Sequence, residues 1–197
     1  MFKCIEAKDE ELIKEIYRFR YKVALEEDIL PEGKEFNEAY EADEYDKYSI
    51  QYAFFDKNSE IAACVRLIHH SDVGYPAQNS LKIESAEKKK LMLYDEKMQT
   101  AELSRIFIRK DCRGIKNTRK IIDLVKLNAG VKMKEMGVIC SYGALEESFF
   151  RLLLILKMPY RIIGPYQMYG NRMRAPCIMF TDEMMELNKE LFLETVN

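Results

Sequence analysis

The chain has 197 residues, 48% of them hydrophobic and 32% charged, which is enough apolar material for a single α/β domain over residues 1–197. Its formal net charge of −2, with no basic patch interleaved with aromatics, argues against nucleic acid as a partner. Five scattered cysteines (Cys4, Cys64, Cys112, Cys140, Cys177), an N-terminus without a signal pattern, and no apolar run longer than Leu152–Leu156 predict a soluble cytoplasmic protein without disulfides, zinc knuckle or transmembrane segment.

In chain order, residues 2–7 read as a short strand. From Asp9 to about Glu27 an amphipathic helix follows, with Leu12, Ile16, Phe19 and Val23 on one stripe. A neighbouring stripe of Ile13, Tyr17, Arg20 and Ala24 carries a guanidinium where an apolar residue is expected. Pro31, Gly33 and seven carboxylates between Glu32 and Asp46 then predict an exposed loop or lid. The runs SIQYAFFD and EIAACVRLIHH form a β-hairpin, and the polar stretch from Ser71 to Gln99 holds a short helix. TAELSRIFI is a strand, a helix runs from about Asn117 to Met136, and Gly137 stops it. GVICSYGAL is a strand and ALEESFFRLLLILK a helix. YRIIGP and APCIMFTD are two late strands before a terminal helix from Asp182. The order predicts a mixed central sheet with helices on both faces.

Within TAELSRIFI, period-two alternation puts Glu102, Ser104, Ile106 and Ile108 on one face and Leu103, Arg105 and Phe107 on the other. Both faces are mostly apolar, as in a central strand. A carboxylate and a guanidinium buried there are costly unless paired or functional. A structural salt bridge and a strand end that reaches water are the plainer readings. Asp43 and Asp46, taken alone, are solvated loop acids. Arg66, between Val65 and Leu67, is either a site residue or an edge-strand arginine that snorkels to water, and Arg20 has the same ambiguity.

The segment RKDCRGIKNTRK leads into a helix and offers the pattern of an anion-cradling loop, with Gly114 as its one glycine. Arg109, Lys110, Arg113, Lys116, Arg119 and Lys120 concentrate positive charge around it. That suits a nucleotide phosphate, an acidic carrier protein, or a merely solvated helix start. His69 and His70 are the only histidines and, as strand neighbours, point to opposite faces, so no metal site is expected. No cysteine sits in a nucleophile motif, and Cys64 and His69 also fall on opposite faces.

Taken in order, RFRYKVALEE, EADEYDKYS, AACVRLIHH, AELSRIFI and YRIIGPYQMYGNRMRAP resemble the autoinducer-synthase-like branch of the GNAT superfamily of acyltransferases. That branch includes acyl-homoserine-lactone synthases, long-chain N-acyl amino acid synthases and the acyltransferases of PEP-CTERM/exosortase systems. The resemblance, over roughly residues 15 to 180, implies a GNAT-like fold in which Arg20, Asp43, Asp46, Arg66, Glu102 and Arg105 line one cleft. It makes Glu102 the base for an incoming ammonium and gives Arg105 and Arg66 positioning roles beside Ser104. Asp43 and Asp46 would hold the acceptor's amine. The acyl chain would lie beside the strand carrying Glu102, against Ile106 and Ile108, with the donor's head near Arg113, Gly114, Lys116 and Asn117.

Two departures from the pattern shape the substrate expectation. Homoserine-lactone synthases carry an aromatic four residues after the first-helix arginine and a tryptophan six further on. Here those places hold Ala24 and Leu30, and the chain has no tryptophan. The coenzyme A loop R/Q-x-x-G-x-G/A is incomplete around Arg113 and Gly114. The expected reaction is transfer of a medium or long acyl chain from acyl carrier protein, or from acyl-CoA, to an amino acid or similar small amine, with no tightly bound cofactor. The alternatives are a homoserine-lactone synthase using S-adenosylmethionine and a non-catalytic acyl-thioester-binding module.

Overall fold

The structure, a computed structural model, describes residues 2–30, 39–69 and 71–194. Part of the predicted acid-rich loop, including Pro31 and Gly33, and also His70, lie outside the described residues. Strand β1 (Lys3–Ala7) leads to α1 (Glu10–Glu26), and the hairpin is β2 (Ser49–Phe55) and β3 (Ile61–His69). Two short helices, α2 (Pro76–Ser80) and α3 (Ser85–Asp95), fill the polar region where one was expected. Next come β4 (Thr100–Ile108), α4 (Ile115–Val125), α5 (Val131–Glu135), β5 (Cys140–Leu145), α6 (Glu147–Ile155) and β6 (Arg161–Ile162). The chain ends with β7 (Gln167–Tyr169), β8 (Arg172–Phe180), α7 (Thr181–Leu187) and α8 (Lys189–Glu194).

The sheet runs β1-β2-β3-β4-β5-β8-β6, with β7 on β8. Only β4 and β5 are parallel neighbours, and the helices cover both faces. Helix α1 starts where its sequence says, because Asp9 caps it by accepting the Leu12 N–H at 2.8 Å. Its stripe residues Ile16, Phe19 and Val23 pack on Ala53 and Cys64. On the other face Ile121, Ile122, Val125, Ala129 and Met133 cover Val65, Leu67 and Leu103. A π-helical turn, Lys126–Gly130, joins α4 to α5, and Gly137 with φ +72° ends the run as expected.

Several predicted boundaries move. Helix α4 begins at Ile115 and not near Asn117, because Gly114 supplies the φ of +114° that turns the chain into it. Strand β5 begins three residues later than expected, at Cys140. The expected YRIIGP strand shrinks to Arg161–Ile162, since Gly164 and Pro165 end it. A hairpin absent from the sequence reading appears instead, with β7 and β8 joined through Gly170-Asn171; its signal was the Gly-Asn pair between QMY and RMR. The terminal helix is broken at Asn188, whose side chain bonds the Met184 and Lys157 carbonyls.

The chain leading into this hairpin passes a crowded point at Gly164. A Cβ on Gly164 would collide with the Lys82 carbonyl oxygen and lie 2.8 Å from Pro176 Cγ. Gly164→Ala is therefore expected to destabilise the protein by about 1–3 kcal/mol, read by denaturant unfolding, because backbone atoms cannot rotate away.

Candidate functional site

The central strand departs from strict alternation. Arg66 faces Ser104, but Cys64 faces Phe107, so β4 carries one residue more than β3 over this interval. The extra residue is a β-bulge, and Arg105 sits in it with φ +53°. A non-glycine residue held in the left-handed region is strained and persists only where its surroundings fix it. The consequence corrects the predicted faces. Arg105 swings to the side of Arg20 and Arg66, Phe107 packs against Phe19 and Val23, and Ile106 and Ile108 turn to the α4 side with Leu103.

The bulge is fixed by ion pairs. Arg20, fully buried on α1, grips Asp46 with Nη1 at 2.7 Å and Glu41 with Nε at 2.6 Å. Arg66, also fully buried, reaches Asp43 at 2.5 Å and Asp46 at 3.1 Å, and its Nε donates to Ser104 Oγ at 3.0 Å. Arg105 donates to Glu41 at 3.0 Å and Asp43 at 2.8 Å. Three arginines from α1, β3 and β4 thus meet three acids from the connection before β2. Gln51 completes the shell by donating to Asp46 at 2.8 Å.

The electrostatics follow from this arrangement. Burial alone would raise the Glu41 carboxyl, but Arg105 and Arg20 outweigh it and hold the group at about 2. Burial likewise opposes ionisation of Asp46, yet Arg20 and Arg66 keep it well below the usual carboxylate range. Burial works against the charge on Arg105 and on Arg20, and in each case the facing acids more than compensate. Asp43 and Asp46 are therefore paired and not solvated. Nor is Arg66 an edge arginine, since β3 lies between β2 and β4.

Glu102 stands apart from this balanced set. It is 1% exposed, and its Oε2 accepts the Ala77 N–H at 2.8 Å. Burial dominates its titration and pushes it up to about 7, against the lowering pull of that hydrogen bond and of Arg66 and Arg105. A carboxyl in this range can take or release a proton near neutral pH.

Beside Glu102 the sheet opens. Strands β4 and β5 pair only at Thr100–Cys140, Ala101–Ser141 and Glu102–Tyr142; beyond that, β5 stays with β8 and β4 with β3. The gap holds a cavity of about 750 Å³. Glu102, Ser104, Arg105, Ile106, Ile108, Arg113 and Gly114 line it among the predicted residues, together with Leu103, Ala144, Phe149 and Leu152. Arg20, Asp43, Asp46, Arg66, Lys116 and Asn117 do not. The first four lie behind the wall, where their burial requires that they pair with one another, and Lys116 is turned to solvent on α4.

Glu41 is the residue the sequence reading passed over, although it lines the cavity and bridges two arginines. It was one of seven loop acids, and nothing local marks it out. The predicted basic cluster is also thinner than its sequence. Arg109 is taken up by Asp56 at 2.7 Å and Asp111 at 2.7 Å, and Arg113 by Glu27 at 2.7 Å and the Ile108 carbonyl at 2.9 Å.

Residues 19–122, more than half of the chain, match the acetyltransferase (GNAT) domain family. The chain belongs to that family. It is accordingly a GNAT acyltransferase, and its splayed β4–β5 pair carries the cavity described above. Among curated proteins no sequence matches it. Solved structures are similar in fold. FeeM, an N-acyl amino acid synthase from uncultured soil microbes, has a TM-score of 0.71 at 9% identity, over 95% of this chain and 94% of that one. The AHL synthase LasI has a TM-score of 0.69 at 12% identity, over 95% and 93%. BjaI, a CoA-dependent acyl-homoserine lactone synthase solved with SAM and isopentyl-CoA, has 0.66 at 16%, over 97% and 89%. In fold, this GNAT chain stands with the autoinducer-synthase-like branch. Among its described residues no helix is long and apolar enough to cross a membrane, and no group of three or more His, Cys, Asp or Glu is placed to hold a metal ion.

Proposed function

We propose that this GNAT acyltransferase moves a medium or long acyl chain from a carrier thioester, acyl carrier protein or coenzyme A, to the amine of an amino acid or similar small acceptor. The observation that carries the reading is the buried Glu102 at the head of an apolar cavity of about 750 Å³, far more room than an acetyl group fills.

Glu102 takes a proton from the acceptor's ammonium, and the free amine attacks the thioester carbonyl. The C–N bond forms, the C–S bond breaks, and the thiol leaves with the remaining proton. No acyl-enzyme is needed. Beyond Glu102 the side of β4 that faces β5 has no strand partner, so its backbone N–H groups are available to the carbonyl oxygen as charge builds on it. Arg105 and Ser104 border the same space. Asp43 and Asp46 each engage arginines with both oxygens, so we assign them to fixing Arg66, Arg20 and Arg105 and not to holding the amine.

The test is incubation of the protein with acyl-CoA and acyl-carrier-protein donors from acetyl to palmitoyl, with an amino-acid mixture or S-adenosylmethionine as acceptor, followed by mass spectrometry. N-acyl amino acids support the reading. Acyl-homoserine lactone as the sole product, or turnover best with acetyl-CoA, overturns it. A narrower check uses the cavity wall: Ala144→Phe is expected to cut kcat/KM for the longest accepted donor by about tenfold or more while sparing short ones, as one pocket methylene is worth roughly that factor. Equal losses for all lengths would remove the acyl chain from this cavity.

A further inference from the structure

Behind Glu102 lies a second polar cluster that the proposed chemistry does not use. Asp95, the last residue of α3, accepts side-chain hydrogen bonds from three other elements. Gln78 Nε2 on α2 donates at 2.7 Å, Thr100 Oγ1 at the start of β4 at 2.7 Å, and the Tyr142 hydroxyl on β5 at 3.1 Å. Tyr75, just before α2, adds a bond from its hydroxyl to the Thr100 carbonyl at 2.7 Å. These contacts converge on the three residue pairs that join β4 to β5 before the strands part.

The helix held by this cluster touches Glu102. Pro76 opens α2 and has no N–H, so Ala77 supplies the first backbone donor of the helix, and that donor is the one on Glu102 Oε2 at 2.8 Å. A helix of five residues has little stability of its own. Its position depends on what ties it down, and Gln78, one residue beyond Ala77, is tied to Asp95.

We propose that Asp95 is a positioning residue: through Gln78 it clamps α2 so that the Ala77 N–H stays on Glu102. The inference rests on the reading of Glu102 as the base only for its functional meaning; the clamp itself is a statement about the folded protein. The hydrogen bond from Ala77 favours the ionised carboxylate, so releasing it makes Glu102 harder to deprotonate. The charged groups that act on Glu102 are Arg66 on β3, Arg105 on β4 and Asp43 before β2, none of which contacts Asp95; Tyr75, Tyr160 and Tyr169 also interact with it, and of these Tyr75 shares the Asp95 cluster through Thr100.

Infrared titration of the whole protein, without any ligand, tests this. The carbonyl stretch of a protonated carboxyl that is missing in Glu102→Gln reports Glu102 alone, and in the wild type it should fade near pH 7, the value to which burial moves this group. In Gln78→Met, which keeps the shape but not the donor, the midpoint is expected to rise by about 0.5–1 pH unit, since a hydrogen bond to a charged group is worth roughly one to two such units when wholly lost. Asp95→Ala should move it in the same direction by less, because it also removes a negative charge, which by itself favours ionisation of Glu102. Thermal melts confirm that each variant is folded. Gln78→Met perturbs the core least and decides the matter if Asp95→Ala does not fold. A midpoint unchanged in folded Gln78→Met, or no band that depends on Glu102, overturns the proposal. The base role is tested separately, because loss of turnover in Glu102→Gln does not enter the infrared midpoint.

Discussion

Replacing Glu102 by glutamine is expected to abolish acyl transfer and, at pH 8, to make the protein more stable by about 3–4 kcal/mol. The ordinary glutamate value is about 4.3, whereas burial raises this one to about 7. Between those two values the folded chain holds a proton that the unfolded chain has released. Stability from this group is therefore fully present below the unfolded value and is lost as pH rises through the folded one. Above pH 7 the wild type keeps a charge in a site that disfavours it. Glutamine fills the same space, can still accept the Ala77 N–H with its carbonyl oxygen, and carries no charge to desolvate. Denaturant unfolding of both proteins from pH 4 to 8 should give curves that coincide at the acid end, diverge between about pH 4.3 and 7, and run parallel above that. Equal stability at pH 8 would mean that Glu102 is not desolvated as described. Activity and stability pull in opposite directions at this residue, as is common where a site keeps a strained or buried charge.

Arg20→Met is expected to have the largest effect on folding, a loss of about 3–5 kcal/mol at pH 7, because it leaves Glu41 and Asp46 buried with part of their counter-charge gone. The pH dependence runs opposite to that of Glu102. Glu41 and Asp46 have folded values depressed below their unfolded ones, so their stabilisation is present above about pH 4 and lost as pH falls toward the folded value, about 2 for Glu41. The deficit of Arg20→Met relative to wild type should thus shrink on acidification, which unfolding measured from pH 7 to 3 would show. Arg20→Lys should recover only part of it, because an ammonium cannot repeat the paired contacts to Glu41 and Asp46. A methionine variant as stable as wild type at pH 7 would show that the six charges add nothing to the fold.

The bulge at Arg105 connects these expectations. A regular β4 would put Arg105 on the α4 side, away from Asp43 and Glu41, and would leave those acids short of a partner. The strain of φ +53° at a non-glycine residue is offset by the contacts at 2.8–3.1 Å that Arg105 makes with Glu41 and Asp43. The same extra residue turns Ile106 and Ile108 toward the α4 side while leaving both on the cavity wall. One inserted residue therefore sets both the ion cluster and the apolar lining.

Much of this was legible in the sequence because it depends on neighbours. Asp9 caps α1 through a residue three positions away, the stripe Ile16, Phe19, Val23 repeats at helical spacing, and TAELSRIFI reads as a central strand because both its faces are apolar. The charged residues Arg20, Arg66, Glu102 and Arg105 were conspicuous for the opposite reason, being ions in apolar patterns. What tertiary structure alone decided was who meets whom. Nothing in its local sequence marks out Glu41; Arg20 and Arg105, 21 and 64 residues away, converge on it. Asp95 ends an unremarkable polar helix until Gln78, Thr100 and Tyr142 are brought to it from three elements. The bulge, too, is invisible locally, since period two is the default for any strand and the residue that breaks it is chosen by partners across the sheet. Short-range preference wrote the elements; the cost of burying charge without a partner selected their final pairing.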